Sequence, residues 1–536
     1  MSQRLRRGFL LLTVFVIRAA CGADDGQLST ALSALPTANY AQKSEIVNQL
    51  AGMHDPVIKQ LLTAMLNESV YVRTADGKVF IVQAVDAGLT LTDPLTGKSA
   101  GTVPADGFEK IGLNNALRRT LRTAIARFDL ESPDPPVRKA AVVEMLHSLD
   151  DATVALLGER LRVEHNASVR AEIETGLALS DLQNSSTPKR LAAIDQLAKS
   201  LNSDVYNTLA ALTDPTAESD ASVRAAAAKA VRHIDSWRSF YGALETLFFG
   251  LSLGSVLVLS AIGLAITFGV MGVINMAHGE LMMLGAYTTY VMQLLMPNHI
   301  GTSIVLAIPA AFLVSGVVGV LIERGIVRFL YGRPLETLLA TFGLSLILQQ
   351  VVRDVFTANN RPVQAPDWLT GSLQINEALS ITYNRLATVL FTLFMFAVLL
   401  LVLNRTRLGL QVRAVAQNRS MAKAMGVPTE WVDALTFGLG SGIAGVAGVA
   451  LSQLTNVGPN LGQSYIVDSF MVVVFGGVGN LWGTLIGGMS LGVINKILEP
   501  FAGAVLGKIA VLVVLILFIQ WRPRGLFPQK GRAAEM

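Results

Sequence analysis

The chain is 536 residues long, 51% hydrophobic and 15% charged, and a mean hydropathy of +0.49 assigns a large share of it to membrane rather than to a soluble enzyme core. Its single cysteine, Cys21, excludes an internal disulfide and a cysteine-based metal site, and leaves the compartment undecided. The net charge of +4 does not read as nucleic-acid binding, because the basic residues cluster beside apolar runs, where membrane loops carry them.

At the amino terminus Arg4, Arg6 and Arg7 precede an apolar run from Gly8 to Ile17 that is too short to span a bilayer of about 30 Å. Small residues from Ala19 to Ala23 follow, so residues 1–23 read as a secretory signal peptide. Cys21 after Ala19 and Ala20 suggests a lipoprotein site, but Arg18 stands where an apolar residue belongs, and plain cleavage is the expectation. Residues 24–235 are then exported.

That segment reads as soluble and mostly helical. Val137-Arg138, Val169-Arg170 and Val223-Arg224 open three helices with one Val-Arg pattern followed within two residues by Ala, and Lys189-Arg190-Leu191-Ala192 looks like a degenerate copy. Such openings resemble HEAT-type repeats, in which each helix pair buries its apolar face only by stacking on the next. Between about 68 and 112, alternating residues around Asp76-Gly77 and Thr96-Gly97 predict a small insertion of two β-hairpins.

From Leu244 onward about nine apolar segments approach spanning length: 244–268, 272–295, 303–322, 335–352, 386–403, 432–453, 466–478, 482–498 and 503–520. The predicted fold is therefore an all-α polytopic membrane domain over 240–528, behind a helical repeat domain and ahead of a short tail, 529–536. An exported amino-terminal domain and a basic, cytoplasmic carboxyl end (Arg522, Arg524, Lys530, Arg532) require an odd number of crossings, which nine satisfies. The same alternation puts Arg324, Arg328 and Arg333 inside and the polar 354–384 loop outside.

Two places in this half look broken rather than helical: Asn275 to Gly279, and Gly476 to Gly483 around Asn480 and Trp482. Unpaired backbone in lipid costs several kcal/mol per group, so such breaks belong beside a watery route or inside protein. Asn275, His278, Glu280, Gly477, Gly479 and Asn480 are the candidate pathway or gating residues, against the plainer reading of glycines that let helices pack closely. Asp468, Lys496 and Glu499 form no relay of the kind a proton-driven carrier needs. Enzymatic motifs fail. Gly503 to Ile509 is one residue short of a phosphate-binding loop and lacks its Ser/Thr, Gly440 to Gly445 follows no strand, and the histidines have no metal-ligand spacing. No catalytic residue, metal or cofactor is expected.

Residues 404–427, NRTRLGLQVRAVAQNRSMAKAMGV, interrupt the apolar half with a basic stretch that has no acidic group. Ala414, Asn418, Ala422 and Gly426 recur every four residues and on one helix form a narrow stripe of small side chains, flanked by Arg413, Arg419 and Lys423. With this stretch, Ile274 to Glu280 (INMAHGE) and Phe475 to Gly488 (FGGVGNLWGTLIGG), the chain resembles the integral permeases of ATP-driven importers for branched-chain amino acids and urea. The resemblance covers residues 240–528. It implies an inner-membrane permease subunit without its own ATPase site. It also implies a coupling helix that docks on an ATPase through Arg413, Ala414, Asn418, Ala422 and Gly426. The implied partners are a second homologous permease, two cytoplasmic ATPase subunits, a periplasmic substrate-binding protein and the lipid membrane. Urea is the expected solute, because a long exported helical domain ahead of this permease type resembles the urea-transport members. The alternatives are branched-chain amino acids, or a urea channel or carrier that needs no nucleotide.

Overall fold

The computed structural model describes residues 28–53, 56–85, 88–104 and 107–527. The leader expected over 1–23, Cys21 and the tail at 529–536 lie outside the described residues. The chain divides into two compact units between Ser236 and Trp237.

In the first unit α1 (Tyr40–Ala51) starts on a reciprocal cap: the Asn39 side chain accepts from the Gln42 N–H and the Gln42 side chain from the Asn39 N–H, both at 2.9 Å. α2 (Pro56–Leu66) follows, then β1 (Val70–Arg73), β2 (Val79–Val85), β3 (Gly88–Thr92), β4 (Ser99–Val103) and β5 (Phe108–Lys110). The expected pair of hairpins is corrected to one five-stranded antiparallel sheet in the order β4-β3-β2-β1-β5. The two hairpins join because β2 pairs with β3, Val82 opposite Leu91, and β5 closes on β1. An isolated hairpin is marginal in water, whereas this sheet buries Val70 and Val79 among Leu50, Leu61, Leu62 and Leu121 of the neighbouring helices. Gly77 and Gly97 turn the outer hairpins with φ of +70° and +64°, as the Asp-Gly and Thr-Gly pairs suggested.

Helices α3 (Asn115–Asp129), α4 (Pro135–Leu146), α5 (Asp151–Val163), α6 (Ala167–Asp181), α7 (Thr187–Leu197) and α8 (Ser203–Ala211) complete this unit with the first turns of α9 (Ala221–Met271). The Val-Arg openings head α4, α6 and α9, and the arginine does the same job in each. Arg138 Nη1 donates to the Ser132 and Pro133 carbonyls, Arg170 Nη1 to those of Leu161 and Glu164, and Arg224 Nη1 to those of Glu218 and Ser219. Each guanidinium thus ties its helix to the loop before it. The carbonyls before each helix need donors, and the guanidinium of the fourth helical residue turns back to supply them.

Arg138 also forms a two-pronged, buried pair with Glu164, at 2.7 and 2.8 Å, and Glu164 accepts further from Arg160 and from the His165 and Asn166 N–H groups. These donors, the Arg138 hydrogen bond first, hold the Glu164 carboxyl well below the usual range, at about 2. A depressed carboxyl stabilises the fold above its unfolded value near 4.5 and loses that contribution as pH falls through about 2. Amide protection over residues 135–181 of the wild type should therefore decline between those values. Glu164→Gln should be poorly protected at neutral pH already and lack this acid-sensitive step; equal protection of both proteins at pH 7 contradicts the assignment.

The second unit continues α9 and adds α10 (His278–Leu295), α11 (Ile300–Gly325), α12 (Pro334–Phe356), the hairpin β6 (Ser372–Asn376) and β7 (Leu379–Thr382), and α13 (Tyr383–Arg405). There follow α14 (Arg407–Gln417), α15 (Arg419–Ala424), α16 (Thr429–Ser452), α17 (Leu461–Gly476) and α18 (Leu481–Trp521). Among the described residues six helices, α9, α11, α12, α13, α16 and α18, are long and apolar enough to cross a membrane, where nine near-spanning segments were expected. α10 is diluted by His278, Glu280 and Gln293, and α17 has only 16 residues. α18 merges two expected segments: its 41 residues break at Gly503, φ +76°, and the arms fold back so that Leu491 meets Val511 and Leu515.

α16 lies at the centre of this unit. A Cβ on Gly440 would meet the Gly263 carbonyl of α9, one on Gly442 the Phe312 ring of α11, and one on Gly448 the Met282 carbonyl of α10. The glycine-rich run from Gly438 to Gly448 is thus a close-packing surface on three neighbours and not a nucleotide loop.

Candidate functional site

The basic stretch at 404–427 does not form one helix. Thr406 caps α14 by accepting from the Gly409 N–H at 3.2 Å. Asn418, extended at φ −159°, ends α14 and caps α15, its side chain accepting from the Met421 N–H at 2.9 Å. The expected single stripe of Ala414, Asn418, Ala422 and Gly426 is therefore corrected to two short helices bent at Asn418. Ala422 turns inward against Val412, Val415 and Val432, with Ala414 beside it, while Gly426 closes α15 at φ +83°. Arg413 donates to the Leu403 carbonyl at 2.6 Å and to Asn404 at 3.2 Å. What α15 presents outward is Met421 and Met425, 61% and 78% exposed.

α15 is fastened to α16. Arg419 donates to the buried Asp433 carboxylate and its guanidinium lies 4.3 Å from the centre of the Tyr331 ring. The second oxygen, Asp433 Oδ1, has no partner. Beside this clasp Arg324, from the end of α11, stacks 4.3 Å over Trp431 and approaches Glu430 at 3.7 Å.

The first predicted break precedes α10. Gly272 at φ +64° ends α9, and the Asn275 side chain accepts from the Ala277 N–H at 3.0 Å, which turns the chain into α10. His278 faces α9, with Nε2 at 2.9 Å from the Ser260 carbonyl oxygen. Glu280 points the other way, toward α12. Its Oε1 accepts from Ser345 Oγ at 3.0 Å and from Gln349 Nε2 at 2.7 Å. Thr341 Oγ1 accepts from the Met276 N–H at 3.1 Å. Thr337, Thr341, Ser345 and Gln349 are all buried on one face of α12. This four-residue recurrence is present in the sequence, but neutral polar residues in an apolar helix carry no sign of which neighbour they face.

The second break does something else. Gly477 and Gly479 take φ of +105° and +76°, and Asn480 caps α18 by accepting from the Gly483 N–H at 3.1 Å. The Asn480 side chain also donates to the Phe527 carbonyl at 3.2 Å, and Phe475 and Gly476 pair through their carbonyls with the Leu526 and Phe527 N–H groups. Phe475, Gly476 and Asn480 thus clasp residues 526–527 with Gly477 packed on Gly525, while Gly479 lies against Gly269 of α9. The structure does not bring Gly477, Gly479 and Asn480 to Asn275, His278 and Glu280. Asp468, left without a partner in the sequence, pairs with Lys508 at 2.9 Å, while Lys496 pairs with Glu499 at 2.7 Å.

Residues 246–520 match the family described as branched-chain amino acid transport system, permease component. The chain belongs to this family. It is 32% identical over 294 residues to the high-affinity branched-chain amino acid transport system permease protein LivH of Salmonella typhimurium, covering 53% of this chain and 94% of that protein. Its identity to the corresponding protein BraD of Pseudomonas aeruginosa is 30% over 296 residues, covering 53% and 96%. A more distant likeness, 26% over 286 residues with 51% and 84% covered, links it to the ribose import permease protein RbsC of Escherichia coli. No solved structure matches the chain. This permease is therefore a multi-pass membrane component of the ABC type, with no catalytic site of its own, homologous to bacterial import permeases. The family match begins at residue 246, so the sheet and helices of 28–236 lie ahead of it.

Proposed function

We propose that this permease is one membrane half of a binding-protein-dependent importer in the bacterial inner membrane, paired with a homologous second permease and driven by two cytoplasmic ATPase subunits. The α14–α15 end faces the cytoplasm, where Arg405, Arg407, Arg413 and Lys423 satisfy the preference for positive charge inside. Nine crossings, with the two arms of α18 counted separately, then put the 354–384 loop and residues 24–235 outside. α14 and α15 receive the ATPase through Met421, Met425 and Gly426, and the Arg419–Asp433 clasp hands that movement to α16. A conformational cycle of this kind requires contacts that differ between two states.

The observation that carries the substrate reading is the near full-length match to branched-chain amino acid permeases, which moves leucine-type solutes ahead of the urea first expected. The second reading, urea, draws on the presence of a separate unit at 28–236 ahead of the matched region, the arrangement for which urea is the expected solute. Uptake of labelled leucine and labelled urea into cells that depend on this importer separates the two. Saturable, ATPase-dependent leucine uptake that excess urea leaves untouched is the expected result. The reverse pattern establishes urea, and uptake of either solute without the ATPase subunits overturns the importer.

A further inference from the structure

Buried polar groups in a membrane domain ordinarily spend all their hydrogen bonds, because an unmet one costs a few kcal/mol. The seam between α10 and α12 departs from that rule. Glu280 is 1% exposed, yet only Oε1 is occupied, by Ser345 and Gln349, and Oε2 has no partner. Two helical turns along the same face of α10 the Tyr287 hydroxyl is also buried and unpartnered, its ring stacked 4.7 Å from that of Phe356. Below Glu280, the Asn275 side-chain nitrogen is a third such group. From Thr341 to Phe356 the seam runs for about 22 Å at 1.5 Å per residue, most of the hydrocarbon thickness.

The face is lined by donors and acceptors and continues to one end of the bundle. There Gln293 holds the loop after α12 with two bonds to the Gln364 backbone, at 2.8 and 3.0 Å, and Arg353 reaches Asn460 at 2.8 Å. One unmet carboxylate oxygen also occurs in the Arg419–Asp433 clasp, at Asp433 Oδ1; the α10–α12 seam differs in gathering three unmet groups, Asn275 Nδ2, Glu280 Oε2 and the Tyr287 hydroxyl, along one line of neutral polar side chains. His278, two residues away, faces α9 and plays no part.

We propose that the α10–α12 seam is a solute site of this permease, in which the free oxygen of Glu280 accepts an N–H from a small nitrogen-bearing solute. Ser345 and Gln349 hold the carboxylate in place, and the Tyr287 hydroxyl meets the solute on the side of the 357–371 loop. The recognised group is an ammonium or an amide, common to an α-amino acid and to urea. The inference rests on the permease reading above.

The test uses the complete importer with its ATPase and binding-protein subunits. Glu280→Gln replaces half of the acceptor with a donor and should lower uptake of labelled leucine or urea, whichever the wild type transports, by about tenfold or more, one hydrogen bond to a charged group. Gln350→Ala, on the exposed side of α12, should stay within about twofold. Because Glu280→Gln bears on packing too, a near-isosteric probe is added: Ser345→Cys in a Cys21→Ser background, treated with a small water-soluble thiol reagent. Labelling is expected, slowed at least about fivefold by saturating solute, the protection that bound solute gives a wall residue. Failure of Ser345→Cys to label, labelling at an unchanged rate with solute, or normal uptake by Glu280→Gln overturns the site. If the wild-type importer moves neither solute, the substrate reading fails instead, and the two failures are distinct.

Discussion

Gly448→Val prevents assembly of the membrane unit. A Cβ at this position would overlap the Met282 carbonyl oxygen and lie 2.7 Å from the Ala286 nitrogen, so the obstacle is the backbone of α10 and no side chain can swing aside. Overpacking a core where neighbours repack costs about 1–3 kcal/mol. Here α10 itself must move, yet Gly285 packs as tightly on the same helix, where its own Cβ would strike the Gly445 carbonyl, and Gly279 holds α10 against Gly462 of α17. The cost is expected above about 3 kcal/mol, beyond the usual overpacking range. Detergent-solubilised Gly448→Val should run as aggregate in size-exclusion chromatography and lack a thermal transition. Gly343→Ala on α12, with open space around it, is the matched control and should behave as wild type. A Gly448→Val protein with normal yield and melting would show that α10 and α16 are not in backbone contact.

That contact shows what a single sequence conveys and what it withholds. The run from Gly438 to Gly448 announces close packing, since glycine inside a long apolar helix has few other uses, but not which helix approaches each glycine. The arginines at 138, 170 and 224 were legible as a repeated helix opening, because the pattern is local and so are the carbonyls they bind. The five-stranded sheet was not, because joining two hairpins depends on β2 meeting β3 and β5 returning to β1 across the intervening strands.

At the candidate sites the same division holds. Asn418 fits a four-residue stripe by spacing, yet an asparagine with a short side chain competes for backbone N–H groups and prefers to cap, so the helix stops there. Gly503 was weighed only as part of a failed phosphate loop; in the fold it is the bend of α18, and Lys508 beside it finds Asp468 from another helix. Glu280 drew notice as a charge in an apolar segment. Its partners on α12 did not, and they set its surroundings.

Asp433→Asn in the complete importer should separate ATP hydrolysis from uptake. Asp433 is fully buried at the start of α16 and Arg419 belongs to α15, so the ion pair ties the helix proposed to feel the ATPase to the helix on which α9, α10 and α11 pack. Removing one member of a buried pair costs about 3–5 kcal/mol when both charges are enclosed. Arg419 keeps contact with solvent and with Tyr331, which places this pair toward the lower end. With the tether gone, α15 follows the ATPase while α16 stays behind. Hydrolysis is expected within about twofold of wild type, with uptake lowered at least about tenfold, the equivalent of 1.4 kcal/mol lost from the coupled step. The exchanged pair, Arg419→Asp with Asp433→Arg, should recover part of the uptake that either single change loses, since the attraction survives reversal while the individual side chains do not. Asp433→Asn with full uptake, or with uptake and hydrolysis falling together, would remove the clasp from the coupling route and leave it as local reinforcement of the loop before α16.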